Sequence, residues 1–453
     1  MQMSFSAAIA RAPMKPFQFV VAGFALAMLV VEGIDLQSLA LVTPVIIKDW
    51  GIDRAQFGVA LAAAMFGMAF GSIFGGMLGD RIGRLITLFL ACVIFGVATI
   101  VAAHTNDPWS MAAVRALGGV GFGAGYPNAL ALASDWVPGR LRTYVIAVLA
   151  VGVPVGQSAS AALVPVFLSD YGWRGTFVIF GIGSIMLGVL TVAVLREAPG
   201  FLLAKGRILA AQKNAARVIG TGIELVPESR RDEDQPPEEK EIGIFHASNA
   251  RLNWGMAISF SAALTFIYGL SSWATEFLTS SGFTLDQALQ ASFVLGVVSV
   301  IGGISAGWFA RRFGSRRVTI ACTVAAFGGI VGLAAMIGPM AGQPSQVALW
   351  ITDALIGLVA GAVSLVISVF YAMMAHGYPQ SCRSGGIGFN LTVARGGGIA
   401  MVFSGGWLLN LAGNSFIAYF AALAATALAL IAAAYIVDRQ IEPATQEARP
   451  AGG

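Results

Sequence analysis

Long apolar runs separated by short polar breaks occupy most of the chain. Twelve of these runs are about as long as the roughly 20 residues that an α-helix needs to cross a bilayer. They cover approximately residues 17–45, 56–78, 85–103, 109–134, 143–168, 175–195, 254–278, 288–309, 318–340, 346–374, 385–411 and 415–437. The pattern therefore predicts an all-α integral membrane protein with twelve transmembrane helices.

The longest polar stretch lies between the sixth and the seventh run. Residues 196–251 carry 9 Lys or Arg and 9 Asp or Glu. Within this stretch, residues 201–218 have the pattern of an amphipathic helix on the membrane surface, and residues 226–241 that of a solvated coil. We therefore predict an N-terminal segment 1–16, a six-helix bundle 17–195, a linker 196–253, a second six-helix bundle 254–437 and a tail 438–453.

The basic residues are distributed unevenly across the predicted membrane. Of 27 Lys and Arg residues, 22 fall on the side that holds both termini, and only Lys48, Arg54 and Arg174 fall in loops on the other side. Because cytoplasmic loops of membrane proteins are enriched in Lys and Arg, both termini are predicted to be cytoplasmic. The same enrichment accounts for the net charge of +4, so nucleic acid is not predicted as a partner.

The overall composition excludes several classes of protein. Charged residues make up 11% of the chain and hydrophobic residues 57%, whereas ordinary soluble proteins have about 25% charged residues. The three cysteines lie far apart without metal-binding spacing, so no disulfide, metal site or cofactor is predicted. Residues 1–16 are too polar and too poor in basic residues for a secretory signal, so the first span is predicted to remain in the mature protein.

Five ionisable residues nevertheless fall inside predicted spans and away from their ends, namely Glu32, Asp35, Arg115, Asp353 and Arg395. An ionisable side chain in hydrocarbon costs at least about 2.5 kcal/mol, so each of them needs a partner, water or a function. At about 1.5 Å per residue, Asp35 and Arg115 lie at similar depths in the outer half of the membrane, where they can pair. Glu32 and Arg395 share the central layer.

This layout predicts proton coupling. A carboxylate that pairs with a guanidinium stays charged, and it can hold a proton when a ligand takes the guanidinium instead. We assign proton coupling of this kind to Glu32, Asp35 and Arg115. Arg395 keeps its charge and presents a planar fork of donors, so it is predicted to bind the carboxylate of a substrate. A static ion pair that braces two helices is the alternative for each residue, and it is the preferred interpretation for Asp353.

Two short polar turns occupy equivalent places after the second and the eighth run. They are Gly79–Arg84 (GDRIGR) and Ala310–Arg317 (ARRFGSRR), and their glycines Gly83 and Gly314 are 231 residues apart. A repeat of this length predicts two pseudo-symmetric six-helix bundles with a site between them near the membrane midplane. Transport is the function that such a geometry serves.

The first of these turns carries charges suited to a gate. Asp80 is placed to cap a neighbouring helix, and Arg84 is placed to pair with Asp135 at the end of the fourth span. Glycines crowd the fourth, fifth and eleventh spans, which predicts helices that approach closely and slide against one another.

These motifs resemble those of a known family. Gly79–Arg84 is similar to the signature of the major facilitator superfamily, and Asp135 followed by Arg140 and Arg142 is similar to its turn between spans four and five. The segment Glu32–Asp35 (EGID) resembles the D-G-x-D signature of aromatic acid:proton symporters within that superfamily, with Glu32 in place of the first Asp. The surroundings of Arg115 and the segment from Arg383 to Arg395 also resemble that group.

The resemblance implies the major facilitator fold and proton-driven uptake of an aromatic carboxylate. The gating residues that it implies are Asp80, Arg81, Arg84, Asp135, Arg140, Arg142 and Arg383. Candidate substrate contacts beside Arg395 lie in spans that line the central cavity of this superfamily, and they are Tyr126, Gln157, Tyr268, Trp273, Phe389 and Asn390. Lipid contact or core packing remains the alternative for each of these six.

We therefore predict a monomeric secondary transporter of the bacterial inner membrane that imports a small aromatic carboxylate with protons by alternating access. One alternative is a carrier of the same superfamily for another organic anion or a sugar-like solute. The other is a membrane-embedded enzyme or receptor. The sequence contains no nucleophile–base pair, histidine cluster or phosphate loop that would support an enzyme.

Overall fold

The computed structural model describes residues 2–9, 13–220, 224–226, 245–337, 344–378, 382–411 and 416–443. Its helices are α1 (Phe5–Ile9), α2 (Pro16–Trp50), α3 (Arg54–Ile82), α4 (Arg84–Ala102), α5 (Pro108–Trp136), α6 (Gly139–Ala150), α7 (Gly152–Val194), α8 (Pro199–Ala204), α9 (Ile208–Ile219), α10 (Ala250–Ser280), α11 (Leu285–Phe313), α12 (Ser315–Ile337), α13 (Gln346–Gly377), α14 (Arg383–Leu411) and α15 (Ile417–Ile436). A short 3-10 turn, Ala247–Asn249, precedes α10. Two short strands, β1 (Gln2–Met3) and β2 (Glu224–Leu225), pair in parallel.

The long helices form the twelve predicted spans. Ten helical stretches of the described chain are long and apolar enough to cross a membrane. One of them, residues 139–194, contains both the fifth and the sixth span, which Gly172 separates with φ 63° and ψ −179°. The fourth span, α5, completes the twelve, although its glycines and Arg115 make it less apolar. The predicted all-α fold in two six-helix groups is therefore confirmed.

The fifth span differs from the prediction of one run over residues 143–168. It begins at Gly139 and breaks at Val151, between α6 and α7. The cause is Pro154, because a proline ring clashes with the carbonyl four residues earlier and offers no N–H to it. The sequence therefore interrupts the regular helix within this span.

The linker also differs from its prediction in detail. The expected amphipathic helix over residues 201–218 is divided into α8 and α9, with Gly206 at φ 73° between them. The small apolar face of α9 is buried against protein, since Ala211, Ala215 and Val218 are each at most 5% exposed. Residues 227–241 of the predicted coil lie outside the described chain.

The two repeated turns adopt the same backbone conformation. Gly83 ends α3 with φ 108° and ψ 147°, and Gly314 ends α11 with φ 84° and ψ 147°. Positive φ values of this size favour glycine, because a Cβ atom would clash with the backbone. The conformational match supports the internal repeat that their spacing predicts.

Helices α3 and α5 pack backbone to backbone. Every fourth residue of α3 from position 67 to 79 is glycine, and a Cβ atom at Gly67, Gly71 or Gly75 would overlap main-chain atoms of α5. Gly119 and Gly123 of α5 return the contact to α3. Small residues thus allow the close approach that fixes the fourth span, and with it Arg115, against its neighbours.

The two halves of the fold meet along three helix pairs. We call α2–α7 the N-half and α10–α15 the C-half; α3 packs against α14, α7 against α11 and α2 against α10. Since each half has an even number of spans, α2 begins and α15 ends on the same membrane side, which we call the terminus side. The face across the membrane is the opposite side.

Candidate functional site

Glu32 lies near the middle of α2 and is buried, with 4% of its surface exposed. Its Oε1 atom has no hydrogen-bond partner in the described chain. The backbone of α5 runs beside it, since a Cβ atom added to Gly125 would lie 3.6 Å from Oε1. A buried carboxylate oxygen without a partner is costly, so this oxygen is a candidate position for a proton or a polar ligand.

Arg395 of α14 is the cation of the same layer. Its Nη1 donates to Ser72 Oγ on α3 at 3.2 Å. Among the described residues, no carboxylate oxygen lies within 4.0 Å of its nitrogens. Its charge acts on Glu32, so the two residues lie near each other, as expected of residues in one layer. Because a guanidinium has five N–H donors, most of its hydrogen-bonding capacity is unused.

Three tyrosines from three helices complete this central group. Tyr126 of α5, Tyr268 of α10 and Tyr371 of α13 lie near one another and near Arg395. None of their hydroxyls has a hydrogen-bond partner among the described residues. The edge of Phe260 packs against the ring of Tyr371 at a centroid distance of 5.1 Å. We call Glu32, Tyr126, Tyr268, Tyr371 and Arg395 the central site.

Tyr371 is the member of the central site that the sequence did not predict. The chain contains eight tyrosines, and several of them fall inside apolar spans. A tyrosine in a span needs somewhere to direct its hydroxyl, and this is the signal that could have found Tyr371. The signal is ambiguous, because Tyr419 also lies in a span but donates to Gly269 O at 2.6 Å within the core.

Asp35 and Arg115 form the ion pair that their depths predict. Arg115 Nη1 donates to Asp35 Oδ2 at 2.9 Å, and its Nη2 donates to the Asp35 carbonyl at 3.1 Å. Thr99 Oγ1 of α4 donates to the other carboxylate oxygen at 2.6 Å. The side chains are 10% and 5% exposed, so this pair is buried one helical turn from Glu32.

A small cavity lies between the halves, beside this ion pair. Arg115, Gln157, Tyr268 and Ser271 are among its lining residues. Gln37 Nε2 donates across the interface to Ser271 O at 3.1 Å. The predicted Gln157 therefore lines a cavity that Arg115 and Tyr268 of the central site also line.

Hydrogen bonds join the two halves at the opposite side of the membrane. Arg54 Nε at the start of α3 donates to Glu276 Oε1 near the end of α10 at 2.8 Å, and Arg54 Nη2 donates to Ser280 Oγ at 2.7 Å. Asn410 of α14 donates to Asp53. Glu276 is only 6% exposed, so the Arg54–Glu276 pair is largely shielded from water.

Three predicted substrate contacts lie outside the central site. Trp273 is fully buried and donates to Val402 O at 3.0 Å. Asn390 is also fully buried, and its Nδ2 donates to Tyr378 OH at 2.7 Å. Phe389 packs edge-to-face against Phe245 and Trp254 near the terminus side, at centroid distances of 5.3 and 6.3 Å. The sequence predicts the spans in which they lie but not the direction in which they face around the helix axis.

The turn after α3 contains the predicted contact between Arg84 and Asp135, which form an ion pair. Asp80 and Arg81 are exposed, and the expected cap by Asp80 is wrong. Glu197 takes that role instead, because its carboxylate accepts a hydrogen bond from Leu85 N at 3.0 Å in the first turn of α4. Burial raises the pKa of Glu197, and the nearby charge of Asp135 adds to this effect.

The remaining predicted gating residues are Arg140, Arg142 and Arg383. Arg140 and Arg142 are exposed at the start of α6. Arg383 begins α14, but its side chain lies outside the described part of the structure.

Comparison with known proteins extends over almost the whole chain. The model of the Major Facilitator Superfamily matches residues 24–400. The 4-hydroxybenzoate transporter PcaK of Acinetobacter baylyi is 27% identical over 88% of this chain and 86% of its own. The benzoate transport protein of the same organism is 26% identical over 94% and 91%. The gentisate transporter of Corynebacterium glutamicum is 28% identical over 88% and 84%.

Solved structures show the same fold at lower sequence identity. The inward-open xylose transporter XylE of Escherichia coli gives a TM-score of 0.70 at 16% identity, covering 93% of this chain and 96% of its own. A bacterial homologue of the lysosomal transporter Spinster, in an inward-facing and unoccupied conformation, gives a TM-score of 0.66 at 19% identity. The match covers 94% of this chain and 97% of that protein. These proteins are transporters rather than enzymes, in agreement with the sequence. The chain belongs to the major facilitator superfamily.

Proposed function

We propose that this protein imports a small aromatic carboxylate together with protons, and that the central site binds the substrate. The observation that carries the proposal is the unused hydrogen-bonding capacity of Arg395 beside three tyrosines and the buried Glu32. Binding sites for small molecules combine apolar and aromatic walls with a few polar groups that fix orientation. The transport of aromatic acids by the relatives supports the same substrate class.

The chemistry of the central site suits each part of such a substrate. The planar fork of Arg395 matches a carboxylate, which accepts two parallel N–H bonds. The rings of Tyr126, Tyr268 and Tyr371 provide surfaces for an aromatic ring, since ring pairs gain stability from edge and offset contacts. Their hydroxyls can bond to polar substituents of that ring.

Proton coupling follows from competition for Arg395. When the substrate carboxylate occupies the guanidinium, Glu32 loses the countercharge that acts on it. A buried carboxylate without a countercharge is best accommodated as the neutral acid, so substrate and proton are taken up together. Asp35 and Arg115 provide a second acid–base pair one turn away, towards the opposite side.

Alternating access requires that each side of the membrane closes in turn. The Arg54–Glu276 and Asn410–Asp53 bonds close the opposite side. We place both termini in the cytoplasm on the distribution of Lys and Arg, so the closed side faces outwards. The protein then acts as a monomer in the bacterial inner membrane, with the five chain segments that the sequence predicts.

Uptake into proteoliposomes tests this function. With an imposed pH gradient, labelled 4-hydroxybenzoate or benzoate should accumulate, and collapse of the gradient should release it. Sugars and dicarboxylates serve as comparison substrates in the same vesicles. Accumulation of a sugar or a dicarboxylate in preference to the aromatic acids would contradict the proposal, as would uptake that does not respond to the gradient.

The hydroxyl of Tyr371 is expected to contribute to the selection of ring substituents. Tyr371→Phe keeps the ring and removes one hydrogen-bonding group, which is worth about 1 kcal/mol. We expect the affinity for 4-hydroxybenzoate to fall about fivefold while the affinity for benzoate changes less than twofold. Competition binding measures both values, and Tyr435→Phe, at an exposed tyrosine near Arg316, is the control. An equal change for the two ligands would exclude this role.

The Arg54–Glu276 pair is expected to hold the outer side closed. Arg54→Glu places two carboxylates together, and the repulsion should open this side. In a Ser271→Cys background, we expect labelling by a membrane-impermeant maleimide from outside to rise at least about fivefold, because Ser271 lines the cavity behind the pair. Adding Glu276→Arg should restore the original labelling. Unchanged labelling in Arg54→Glu would contradict the assignment.

A further inference from the structure

Thr99 occupies an unusual place between an acid and a backbone carbonyl. Its Oγ1 lies 2.6 Å from Asp35 Oδ1 and 2.9 Å from Phe95 O in the preceding turn of α4. A threonine hydroxyl carries a single hydrogen, so it can donate to only one of these acceptors at a time. The bond to the carbonyl four residues earlier is the ordinary one for threonine in a helix.

The two arrangements correspond to two protonation states of Asp35. When Asp35 is charged, Oδ2 accepts from Arg115 and Oδ1 accepts from the Thr99 hydroxyl. When Asp35 carries a proton on Oδ1, the new O–H bond can donate to Thr99 Oγ1, and the threonine hydrogen turns towards Phe95 O. In each state Asp35 Oδ1 and the Thr99 hydroxyl both have a hydrogen-bond partner.

The surroundings make this exchange significant. Asp35 and Thr99 are 7% and 1% exposed, so a missing hydrogen bond at either residue would not be replaced freely by bulk water. A second small cavity is lined by Asp35 and Arg115, with Met68, Gly118 and Phe122 among its other lining residues. Arg115 and, one turn away, Glu32 are the ionisable groups next to Asp35 that the contacts identify.

We propose that Thr99 is a positioning residue for proton exchange at Asp35. Its hydroxyl donates to the charged carboxylate and accepts from the protonated acid, so Asp35 Oδ1 has a hydrogen-bond partner in both charge states. The inference rests on the proposed proton coupling and adds a residue to it. Thr99 itself contacts neither the central site nor a substrate.

The test compares two transport modes in the same proteoliposomes. Thr99→Val removes the hydroxyl and keeps the shape of the side chain. We expect the rate of accumulation driven by a pH gradient to fall at least about fivefold, because both states of Asp35 lose a bond. Counterflow of labelled for unlabelled 4-hydroxybenzoate needs no net proton transfer and should stay within about twofold. Thr99→Ser, which restores the hydroxyl, should recover accumulation.

The control is Thr323→Val, since the Thr323 hydroxyl bonds only to Thr319 O at 2.7 Å and is equally buried. Thr99→Ala lacks the hydroxyl as well and gives the same comparison if the valine variant does not insert into the membrane. Normal accumulation in Thr99→Val would overturn the inference, and so would equal losses of accumulation and counterflow, which indicate a packing role. Wild-type protein that shows counterflow but no accumulation would contradict the proposed proton coupling itself.

Discussion

Glu32→Gln is expected to abolish accumulation of the substrate against its gradient while leaving counterflow of labelled for unlabelled substrate intact. Glutamine keeps the size and polarity of the side chain but cannot exchange a proton. A pH difference of one unit is worth about 1.36 kcal/mol per proton, which corresponds to about tenfold accumulation. The accumulation ratio of the variant should therefore fall from about ten to about one under the same gradient.

Glu32 is a cleaner target than Asp35 for this experiment. The described chain gives Oε1 of Glu32 no hydrogen bond, so the amide breaks no existing contact of that atom. Asp35→Asn is also expected to abolish accumulation, but it removes the countercharge from the buried Arg115. Removing one partner of a buried ion pair commonly costs about 3–5 kcal/mol, so loss of folding would obscure the loss of coupling.

Measurement of both transport modes separates coupling from damage. Counterflow reports on binding and on the movement of the loaded protein, and accumulation in addition requires the proton. Asp353→Asn is the matched control, because this carboxylate also lies within a span but accepts from Gln290 Nε2 at 2.8 Å and is remote from the central site. If Glu32→Gln accumulates substrate as the wild type does, Glu32 is not the coupling residue.

The depth of a residue in the membrane could be predicted from the sequence. An α-helix rises by a fixed distance per residue, so the sequence alone arranges the charges of the spans in layers. For this reason the Asp35–Arg115 pair was predicted correctly, and the charge of Arg395 acts on Glu32, as expected of residues in one layer. Arg84 and Asp135 were paired by the same reasoning at the membrane surface.

The direction of a side chain around its helix could not be predicted in the same way. Trp273 and Asn390 lie in cavity-lining spans, yet both point into the C-half. The sequence does not show this, because the spans are apolar on nearly all faces and carry little periodic signal. Tyr371 and Thr99 were missed for the same reason. Glu197 was missed because its capping contact joins the end of the sixth span to the start of the third, 112 residues apart.

The second large effect is expected at Arg395, the proposed anchor of the substrate carboxylate. Arg395→Lys keeps the positive charge but replaces a planar fork with a single ammonium group, so two parallel bonds to a carboxylate can no longer form. Hydrogen bonds that involve charged partners contribute about 1.5–3 kcal/mol. We therefore expect the Kd for 4-hydroxybenzoate to rise at least about tenfold in Arg395→Lys and about a hundredfold in Arg395→Gln.

A neutral ligand isolates the contribution of the carboxylate. 4-Hydroxybenzamide has the same ring and hydroxyl but carries no charge, so its affinity should change less than about twofold in Arg395→Lys. Calorimetry on purified protein measures both ligands, and Arg174→Lys is the control, because Arg174 lies outside the central site, against Trp173 and Asn106. An unchanged Kd for 4-hydroxybenzoate would reject Arg395 as the anion site, whereas equal weakening of acid and amide would indicate that the variant disturbs the tyrosines and not the charge.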